Sequence, residues 1–273
     1  MCRVFGCVAK DPISVRHDLV EAHNPLIRQS EHHDSGWGMS VYKKAEGEEP
    51  RCFRFPEAAH ENDEFLDVTN LTGRLFNVHV RRATMGGITP ENTHPFSLGP
   101  YSFGHNGTIV RYPKLQEPGV LEPKGETDSE VFFNFILRDF DPEHPRRCLR
   151  RDVRKVIERS SFSGLNFLFS DGEKLYAYKL GVFGLYWTSR PNCLVVASEP
   201  LTETERWHTV QDDVLLVLDP RRLDAPHAEH LVGEEWVKRA EIVPIEEGRH
   251  LRGEARGDFA AARAAEVASD EVA

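Results

Sequence analysis

The residue best suited to catalytic chemistry in this sequence is Cys2, which directly follows Met1. Removal of an initiator methionine is favoured when the second residue is small, and it would leave Cys2 with both a thiol and a free α-amine. The amine has a reference pKa of roughly 7.7–8.0 and the thiol one of about 8.5, so the amine can accept the thiol proton near neutral pH. One residue can then supply nucleophile and general base. The alternative is a small buried residue that begins a strand.

The segment HVRRATMGG, at 79–87, places an arginine where a strand is expected to end. The guanidinium of Arg81 would stand at the edge of a sheet beside a glycine-containing loop, where it suits bidentate capture of a carboxylate. An arginine in this position is also typical of a surface ion pair. His94, which precedes Pro95, is typical of a turn, and we assign it no chemical role.

The pair Asn106 and Gly107 follows a strand-like segment and has two interpretations. An Asn-Gly pair between strands is the strongest short signal for a β-hairpin, because both residues accept positive φ. Alternatively, the Asn106 amide and the Gly107 N–H point together at a developing oxyanion, where one donor is worth roughly 2.7–4 kcal/mol. The residues alone leave both interpretations open.

The segment GETDSE, at 125–130, predicts the start of a helix. Thr127 followed three residues later by Glu130 fits a capping box, and Asp128 in the first turn suits the helix dipole. The same Asp128 carboxylate can instead bind an ammonium group of a substrate. Both interpretations are compatible with these residues.

The periodicity of the chain predicts two consecutive helices between two groups of strands. One helix begins at Thr127 and has an apolar face, and the other covers 147–159 and is basic outside. Weaker helical spacing covers 61–71. Strands are expected at 2–8, 37–43, 75–81, 165–170, 174–179, 193–197 and 214–219, with two short segments in 101–109 and a last strand near 242–245. This order lacks βαβα alternation and favours an α+β fold with two packed sheets and helices outside.

The composition argues against several classes of protein. The net charge of −10 argues against nucleic acid as a partner, because phosphate binding requires a basic face. No apolar run is long enough to span a membrane and no secretory signal is evident, so we expect a cytoplasmic protein. The five cysteines are irregularly spaced and favour free thiols over a disulfide framework. The triplet His32, His33 and Asp34 is a poor metal-ligand set, because neighbours on an extended chain point to opposite sides.

Seven segments, which run in order through roughly the first 220 residues, resemble the class II glutamine amidotransferases of the N-terminal-nucleophile hydrolase superfamily. They are MCRVFG (1–6), DSGWGMSVY (34–42), HVRRAT (79–84), ENTHPF (91–96), FGHNG (103–107), GETDSE (125–130) and VVASEPL (195–201). The match is closest to the small stand-alone bacterial branch, which includes γ-glutamyl hydrolases. Two departures occur. Ser35 interrupts the usual Asp-Gly-Trp-Gly pattern, and Met85 stands where large biosynthetic members often have His.

The resemblance implies a four-layer αββα sandwich of two antiparallel sheets, the N-terminal-nucleophile hydrolase fold. We expect residues 2–250 to form this domain and the alanine-rich segment 251–273 to be a flexible tail. By its match to the family motifs, Cys2 is the nucleophile and its α-amine the base. Asn106 and Gly107 match the oxyanion hole.

The same resemblance implies how a substrate is held. Arg81 matches the residue that pairs with the substrate α-carboxylate, Asp128 matches the acceptor for the α-ammonium, and Thr84 falls near the glutamine pocket. The expected reaction is cleavage of the glutamine side-chain amide through a γ-glutamyl thioester, with no cofactor and no metal.

Two alternatives to a glutaminase remain open. The protein can be a self-sufficient hydrolase of γ-glutamyl peptides or amides, or a non-catalytic binding module with the same fold. As a glutaminase it would need a separate synthase subunit to accept the ammonia. The expected partner is otherwise a small molecule, with neither nucleic acid nor a membrane.

Overall fold

Two antiparallel β-sheets packed face to face form the centre of the protein in a computed structural model that describes residues 2–44 and 47–244. Within these residues the strands are, in chain order, β1 (Arg3–Ser14), β2 (Trp37–Tyr42), β3 (Arg51–Phe55), β4 (Thr72–Val80), β5 (Phe96–Leu98), β6 (Tyr101–Asn106), β7 (Asn166–Ser170), β8 (Leu175–Lys179), β9 (Tyr186–Arg190), β10 (Cys193–Ala197), β11 (His208–Thr209), β12 (Val214–Asp219) and β13 (Arg222–His230). The first sheet has the order β11-β9-β10-β1-β4-β2-β3, and the second has the order β13-β12-β8-β7-β6-β5.

The helices lie outside the two sheets. They are α1 (Leu26–Gln29), α2 (Asp63–Thr69), α3 (Asp128–Arg138), α4 (Pro145–Arg159) and α5 (Glu234–Arg239), with a π-helical turn at His17–Glu21 and 3-10 turns at Ser30–His32, Ala59–Glu61 and Tyr112–Leu115. None of the helices in the described ranges is both long and apolar enough to cross a bilayer.

Strand β1 shows how the sequence produces two buried sheet faces. Val4 and Val8 lie in the apolar cluster between the sheets, together with Leu168 of β7. Phe5 and Cys7 lie in the apolar cluster on the opposite face of the first sheet. Because successive side chains of a strand point to opposite faces, the apolar run of β1 buries both faces. This places β1, and the nucleophile candidate before it, in the middle of the first sheet.

The outer faces of both sheets are covered by helices. On the second sheet, α3 and α4 pack through Phe132, Leu149 and Val153 into one apolar cluster. On the first sheet, α1 and α2 pack through Leu26 and Phe65 into another. The layers are therefore helix, sheet, sheet, helix, and the predicted αββα sandwich is confirmed.

The start of α3 is fixed by its cap, as predicted. The Thr127 hydroxyl accepts the backbone N–H of Glu130 at 3.2 Å. The Glu130 carboxylate does not reach back to Thr127 but accepts the N–H groups of Lys124 and Gly125, at 2.9 and 2.8 Å. The cap is typically worth about 1 kcal/mol, and Glu130 separately secures the loop that precedes Asp128.

Most of the predicted helices and strands are confirmed, with ends that differ by a few residues. The predicted hairpin at Asn106-Gly107 is wrong, because β6 ends at Asn106 and pairs with β5 and β7 rather than with a strand that follows it. In place of the strand near 242–245, Ile242 forms a single bridge to Phe162, and residue 245 lies outside the described residues. The predicted tail at 251–273 lies outside them as well.

Five strands were not predicted, namely β3, β5, β9, β11 and β13. β13 has the sequence RLDAPHAEH, which contains a proline and charged residues and lacks an apolar alternation. It lies at the edge of the second sheet, where proline and charge are tolerated because one side of the strand makes no ladder. Its pairing depends on β12, not on its own sequence.

Candidate active site

Cys2 lies immediately before the central strand of the first sheet. β1 is hydrogen bonded to β10 on one side and to β4 on the other, and Arg3 lies opposite Val80 of β4. The Cys2 Sγ is 3.5 Å from the backbone nitrogen of Arg82, which donates to it, and 3.6 Å from the carbonyl oxygen of the same residue. The Arg3 guanidinium donates to the Cys2 carbonyl at 3.3 Å and forms an ion pair with Glu199. The backbone after β4 and the Arg3 side chain therefore hold Cys2 from two sides.

The thiol of Cys2 sits in an environment that disfavours its charged form. Burial raises the pKa of the thiol above its ordinary value. The N–H of Arg82 and the positive charge of Arg81 oppose this shift, whereas the charge of Asp128 adds to it. Because the pKa stays raised, most of the thiol is protonated at neutral pH, and a nucleophile at this position needs a base.

Arg81 is buried, with 2% of its surface exposed, so its interpretation as a surface ion-pair residue is wrong. Its guanidinium donates to the carbonyls of Met85 at 2.7 Å and Gly87 at 2.9 Å. Its backbone N–H donates to Gly36 O, and its carbonyl accepts the N–H of Ser35. The segment around Ser35 thus serves as a backbone partner of Arg81. A guanidinium has five N–H donors, so several remain for a carboxylate.

Asn106 is the last residue of β6, Gly107 follows it, and both line a pocket together with Cys2. The Asn106 side-chain oxygen is buried and has no hydrogen-bond partner among the described residues. A Cβ on Gly107 would lie 1.8 Å from the carbonyl oxygen of Gly164 and 2.8 Å from Nε2 of His105, so only glycine fits. Neither Asn106 nor Gly107 has the positive φ of a type I′ turn, and close approach of the backbone is what requires glycine here.

Buried histidines support this end of β6. His105 donates from Nε2 to Gly164 O at 3.0 Å, and its Nδ1 accepts the hydroxyl of Ser129 at 2.9 Å. His79 donates from Nε2 to His105 O at 3.1 Å, and its ring stacks on His94 with centroids 4.2 Å apart. Burial lowers the pKa of His105 to about 4 and that of His79 to about 3. Both are neutral at neutral pH; His105 ties β6 to the first turn of α3, and His79 ties β4 to β6.

Asp128 is the first residue of α3 and is buried. One carboxylate oxygen accepts the N–H of Ile109 at 2.7 Å, and the other faces the Ser129 hydroxyl at 3.4 Å. Burial raises the pKa of Asp128 to about 6, while the hydrogen bonds from Ile109 and Ser129 lower it. The carboxylate is therefore mostly ionised at pH 7 and carries a negative charge that a substrate ammonium can neutralise.

Four of the six predicted site residues line a small pocket of about 10 Å³ beside the thiol. Its lining residues are Cys2, Arg82, Thr84, Asn106, Gly107, Thr108 and Phe183. The structure thus brings Cys2, Thr84, Asn106 and Gly107 together. Arg81 and Asp128 do not line this pocket, although the charges of both act on the Cys2 thiol.

A comparison with protein families identifies this arrangement. The family model described as class-II glutamine amidotransferases matches residues 1–192, which include all six predicted site residues. The chain belongs to the class-II glutamine amidotransferases. It is accordingly an enzyme that acts on amide C–N bonds.

Several known proteins are similar to this class-II glutamine amidotransferase. An uncharacterized protein of Methanocaldococcus jannaschii is 30% identical over 188 residues, which are 66% of this chain and 51% of the relative, so the chain spans about half of that protein. YafJ of Escherichia coli, a candidate glutamine amidotransferase, is 27% identical over 250 residues, 77% of this chain and 94% of YafJ. The γ-glutamyl-hercynylcysteine sulfoxide hydrolase of Mycolicibacterium smegmatis is 29% identical over 199 residues, 71% of this chain and 82% of the hydrolase.

A solved structure shares the fold of this class-II glutamine amidotransferase. The glutamine aminotransferase class-II domain protein from Silicibacter pomeroyi superposes with a TM-score of 0.63 at 20% identity, covering 85% of this chain and 100% of that chain. The αββα sandwich is thus the N-terminal-nucleophile hydrolase fold.

Sequence reasoning missed three contributors to the pocket of this class-II glutamine amidotransferase. Thr108 directly follows the Asn106-Gly107 pair, so its neighbourhood was available as a signal. The backbone of Arg82, which holds the Cys2 thiol, follows the predicted Arg81. Phe183 lies about 80 residues after Asn106, in a loop between β8 and β9, and no sequence motif indicates it.

The class-II glutamine amidotransferase also has a larger groove of about 680 Å³ between α4 and the edge of the second sheet, and it shares no lining residue with the pocket at Cys2. Arginines of α4 hold this helix to β13 and to the residues that follow β13. Arg146 pairs with Glu229 at 3.2 Å, Arg150 donates to Leu231 O at 2.6 Å, and Arg154 donates to Val232 O at 2.8 Å. The basic row of α4 therefore has a structural role.

Proposed function

We propose that this class-II glutamine amidotransferase cleaves the side-chain amide of glutamine or a related γ-glutamyl amide, with Cys2 as the nucleophile once Met1 is removed. The observation that supports this most strongly is the single pocket shared by the Cys2 thiol, the Asn106 carboxamide and the Gly107 backbone. A nucleophile and two donors beside one cavity suit attack on a carbonyl and stabilisation of the resulting oxyanion.

The proposed reaction has two halves. The α-amine of Cys2 takes the thiol proton, and the thiolate attacks the γ-carbonyl carbon to form a tetrahedral oxyanion that Asn106 and Gly107 stabilise. The carbon–nitrogen bond then breaks, and the α-ammonium returns its proton to the leaving ammonia or amine. Water, deprotonated by the same α-amine, hydrolyses the γ-glutamyl thioester, which releases glutamate and restores the thiol. The raised pKa of the Cys2 thiol supports the need for a neighbouring base.

Two buried charges would select the amino-acid end of the substrate. Arg81 has spare guanidinium donors for the α-carboxylate, and Asp128 offers a buried carboxylate to the α-ammonium. Their contribution is to position the γ-carbonyl against the thiol. Thr84 lines the pocket, and its hydroxyl is hydrogen bonded to that of Thr108.

The test is an intact mass spectrum recorded before and after treatment with a glutamine-like diazoketone, followed by peptide mapping. We expect loss of Met1 and a single adduct on Cys2 that excess glutamine prevents. Cys52, the other partly exposed cysteine, is the internal control and should stay unlabelled, as should the Cys2→Ser variant.

Retention of Met1, or a folded protein whose Cys2 stays unlabelled while Cys52 reacts, would contradict the proposal. It would instead favour a binding module that keeps the pocket without the chemistry.

The similarity to a γ-glutamyl-hercynylcysteine sulfoxide hydrolase supports a second candidate, a self-sufficient hydrolase of γ-glutamyl amides. In that case the leaving group is an amine carried on a larger molecule, and no synthase is required. A glutaminase would instead pass ammonia to a separate synthase subunit. The ratio of kcat/KM for glutamine to kcat/KM for a γ-glutamyl peptide separates the two.

A further inference from the structure

The pocket at Cys2 has both polar and apolar lining residues. Among the polar ones, the hydroxyls of Thr84 and Thr108 are hydrogen bonded at 2.9 Å. Thr84 lies in the loop whose carbonyls hold Arg81, and Thr108 is followed by Ile109, whose N–H holds Asp128. The polar lining is therefore linked through the backbone to both charges that would bind an amino-acid head group.

The apolar part of the lining is Phe183, which is 6% exposed. The residue before it, Val182, is apolar and 52% exposed. Among the described residues, the charged side chain that lines the pocket is Arg82. Phe183 therefore offers an apolar surface to a group bound beside it.

Phe183 is held rigidly in relation to the oxyanion donors. The side chain of Asn166 donates to Phe183 O at 3.0 Å and accepts the N–H of Leu180 at 3.1 Å, so it fixes both ends of the loop. Asn166 lies directly opposite Asn106 in the β6–β7 ladder. The loop that carries the ring is thus anchored on the residue paired with the oxyanion donor.

Glycines bring the ring and the oxyanion donors together. A Cβ on Gly164 would lie 3.0 Å from the Phe183 ring, and the carbonyl of the same Gly164 would lie 1.8 Å from a Cβ on Gly107. Gly181 has φ +119°, and a Cβ on it would lie 2.6 Å from the Cα of Gly164. A side chain on Gly164 would crowd the Phe183 ring, so the packing of the ring beside the oxyanion donors depends on glycine there.

We infer that Phe183 forms the leaving-group wall of the site, and that the preferred substrates are γ-glutamyl amides whose nitrogen carries a carbon substituent. This inference rests on the proposed function. If Arg81 and Asp128, which do not line the pocket, hold the amino-acid end, the other substituent of the carbonyl points away from them and into the pocket, whose large apolar lining residue is Phe183. Ammonia gains nothing from an aromatic wall, whereas an alkyl or aryl amine buries apolar surface against it.

The experiment compares kcat/KM for glutamine and for γ-glutamyl-p-nitroanilide in the wild type and in Phe183→Ala and Phe183→Leu. Removing one apolar contact from a specificity pocket changes discrimination by about tenfold or more. We expect the anilide to be the better substrate of the wild type and to lose about tenfold in Phe183→Ala. Glutamine turnover should change by less than about twofold, and Phe183→Leu should be intermediate. Phe140→Leu, on an aromatic cluster at the opposite end of β6, is the matched control.

An equal loss for both substrates in Phe183→Ala and Phe183→Leu would overturn the inference, because it would indicate a structural role. A wild type that prefers glutamine would overturn it as well. Diazoketone labelling of Cys2 is recorded in every variant. If Cys2 is not labelled in the wild type, the proposed function fails, and if it is labelled while selectivity is unchanged, only the leaving-group wall fails.

Discussion

The buried carboxylate of Asp128 predicts an unusual dependence of activity on pH. The profile of kcat/KM reports the ionisation of the free enzyme. In the proposed reaction two groups must be deprotonated, the α-amine of Cys2 as base and Asp128 as partner of the substrate ammonium. The amine has a reference pKa of roughly 7.7–8.0. Burial raises the pKa of Asp128 to about 6, so its ionisation falls within the accessible range.

The magnitude follows from these two values. Between about pH 7.5 and pH 6 only the amine gains a proton, and kcat/KM should fall about tenfold for each pH unit. Below about pH 6, Asp128 gains a proton as well, and the fall should steepen to about a hundredfold for each unit. An ordinary exposed aspartate, with a pKa near 3.9, would keep the single slope down to about pH 4.

The assay is the release of the coloured amine from γ-glutamyl-p-nitroanilide at substrate concentrations far below KM, between pH 5 and pH 9. Asp128→Asn should have a lower kcat/KM at every pH and a single slope below pH 7.5, because the second titrating group is gone. Asp152→Asn is the matched control, since Asp152 is also buried, its pKa is also raised by burial, and it pairs with Arg151 on α4. It should keep both slopes.

A wild-type profile with one slope down to pH 5 would refute the reasoning about Asp128. So would a second slope that persists in Asp128→Asn, because another group would then be responsible.

Three further predictions concern the same site. Gly107→Ala should lower kcat by about 10²–10³-fold in steady-state kinetics, because its Cβ would meet Gly164 O and displace the proposed oxyanion donor; unchanged kcat would contradict this role. Arg81→Lys should raise KM more than it lowers kcat, because the lysine ammonium cannot donate hydrogen bonds to two backbone carbonyls and also bind a substrate carboxylate. An unchanged KM would exclude binding of the carboxylate by Arg81. Acidification from pH 6.5 to 4 should destabilise the fold in urea titrations, by on the order of 3 kcal/mol for His105, because unfolding releases His79 and His105 to protonate. Equal stability at both pH values, or the same loss in His105→Gln, would contradict the last prediction.

Long apolar segments made much of the fold predictable from the sequence. The run of β1 and the alternation of β4 indicate strands without reference to the rest of the chain, and Thr127 signals the start of α3. β13 was not predictable, because its polar sequence pairs only where β12 offers an open edge. The Asn106-Gly107 pair wrongly predicted a hairpin, because the glycine is required by the close approach of the Gly164 backbone and not by a local turn.

The part of the candidate site that lies in family motifs was predictable from the sequence. Cys2, Thr84, Asn106 and Gly107 belong to matched segments, and the pocket contains all four. The burial of Arg81 was not predictable, because its carbonyl partners depend on how the 85–87 loop folds back. The place of Phe183 in the site was not predictable either, because its position results from contacts among glycines that are distant in sequence.

The proposed catalytic groups come from both halves of the sandwich, with Cys2 on the first sheet and Asn106 and Gly107 on the second. The distance between nucleophile and oxyanion donors is consequently set by the apolar layer between the sheets, in which Val4 and Leu168 lie. A loosened state that keeps its strands but loses this tight packing would separate the two halves and be inactive. Activity therefore reports whether the two sheets are packed together. During refolding, activity should return when the core becomes closely packed and not when secondary structure forms earlier.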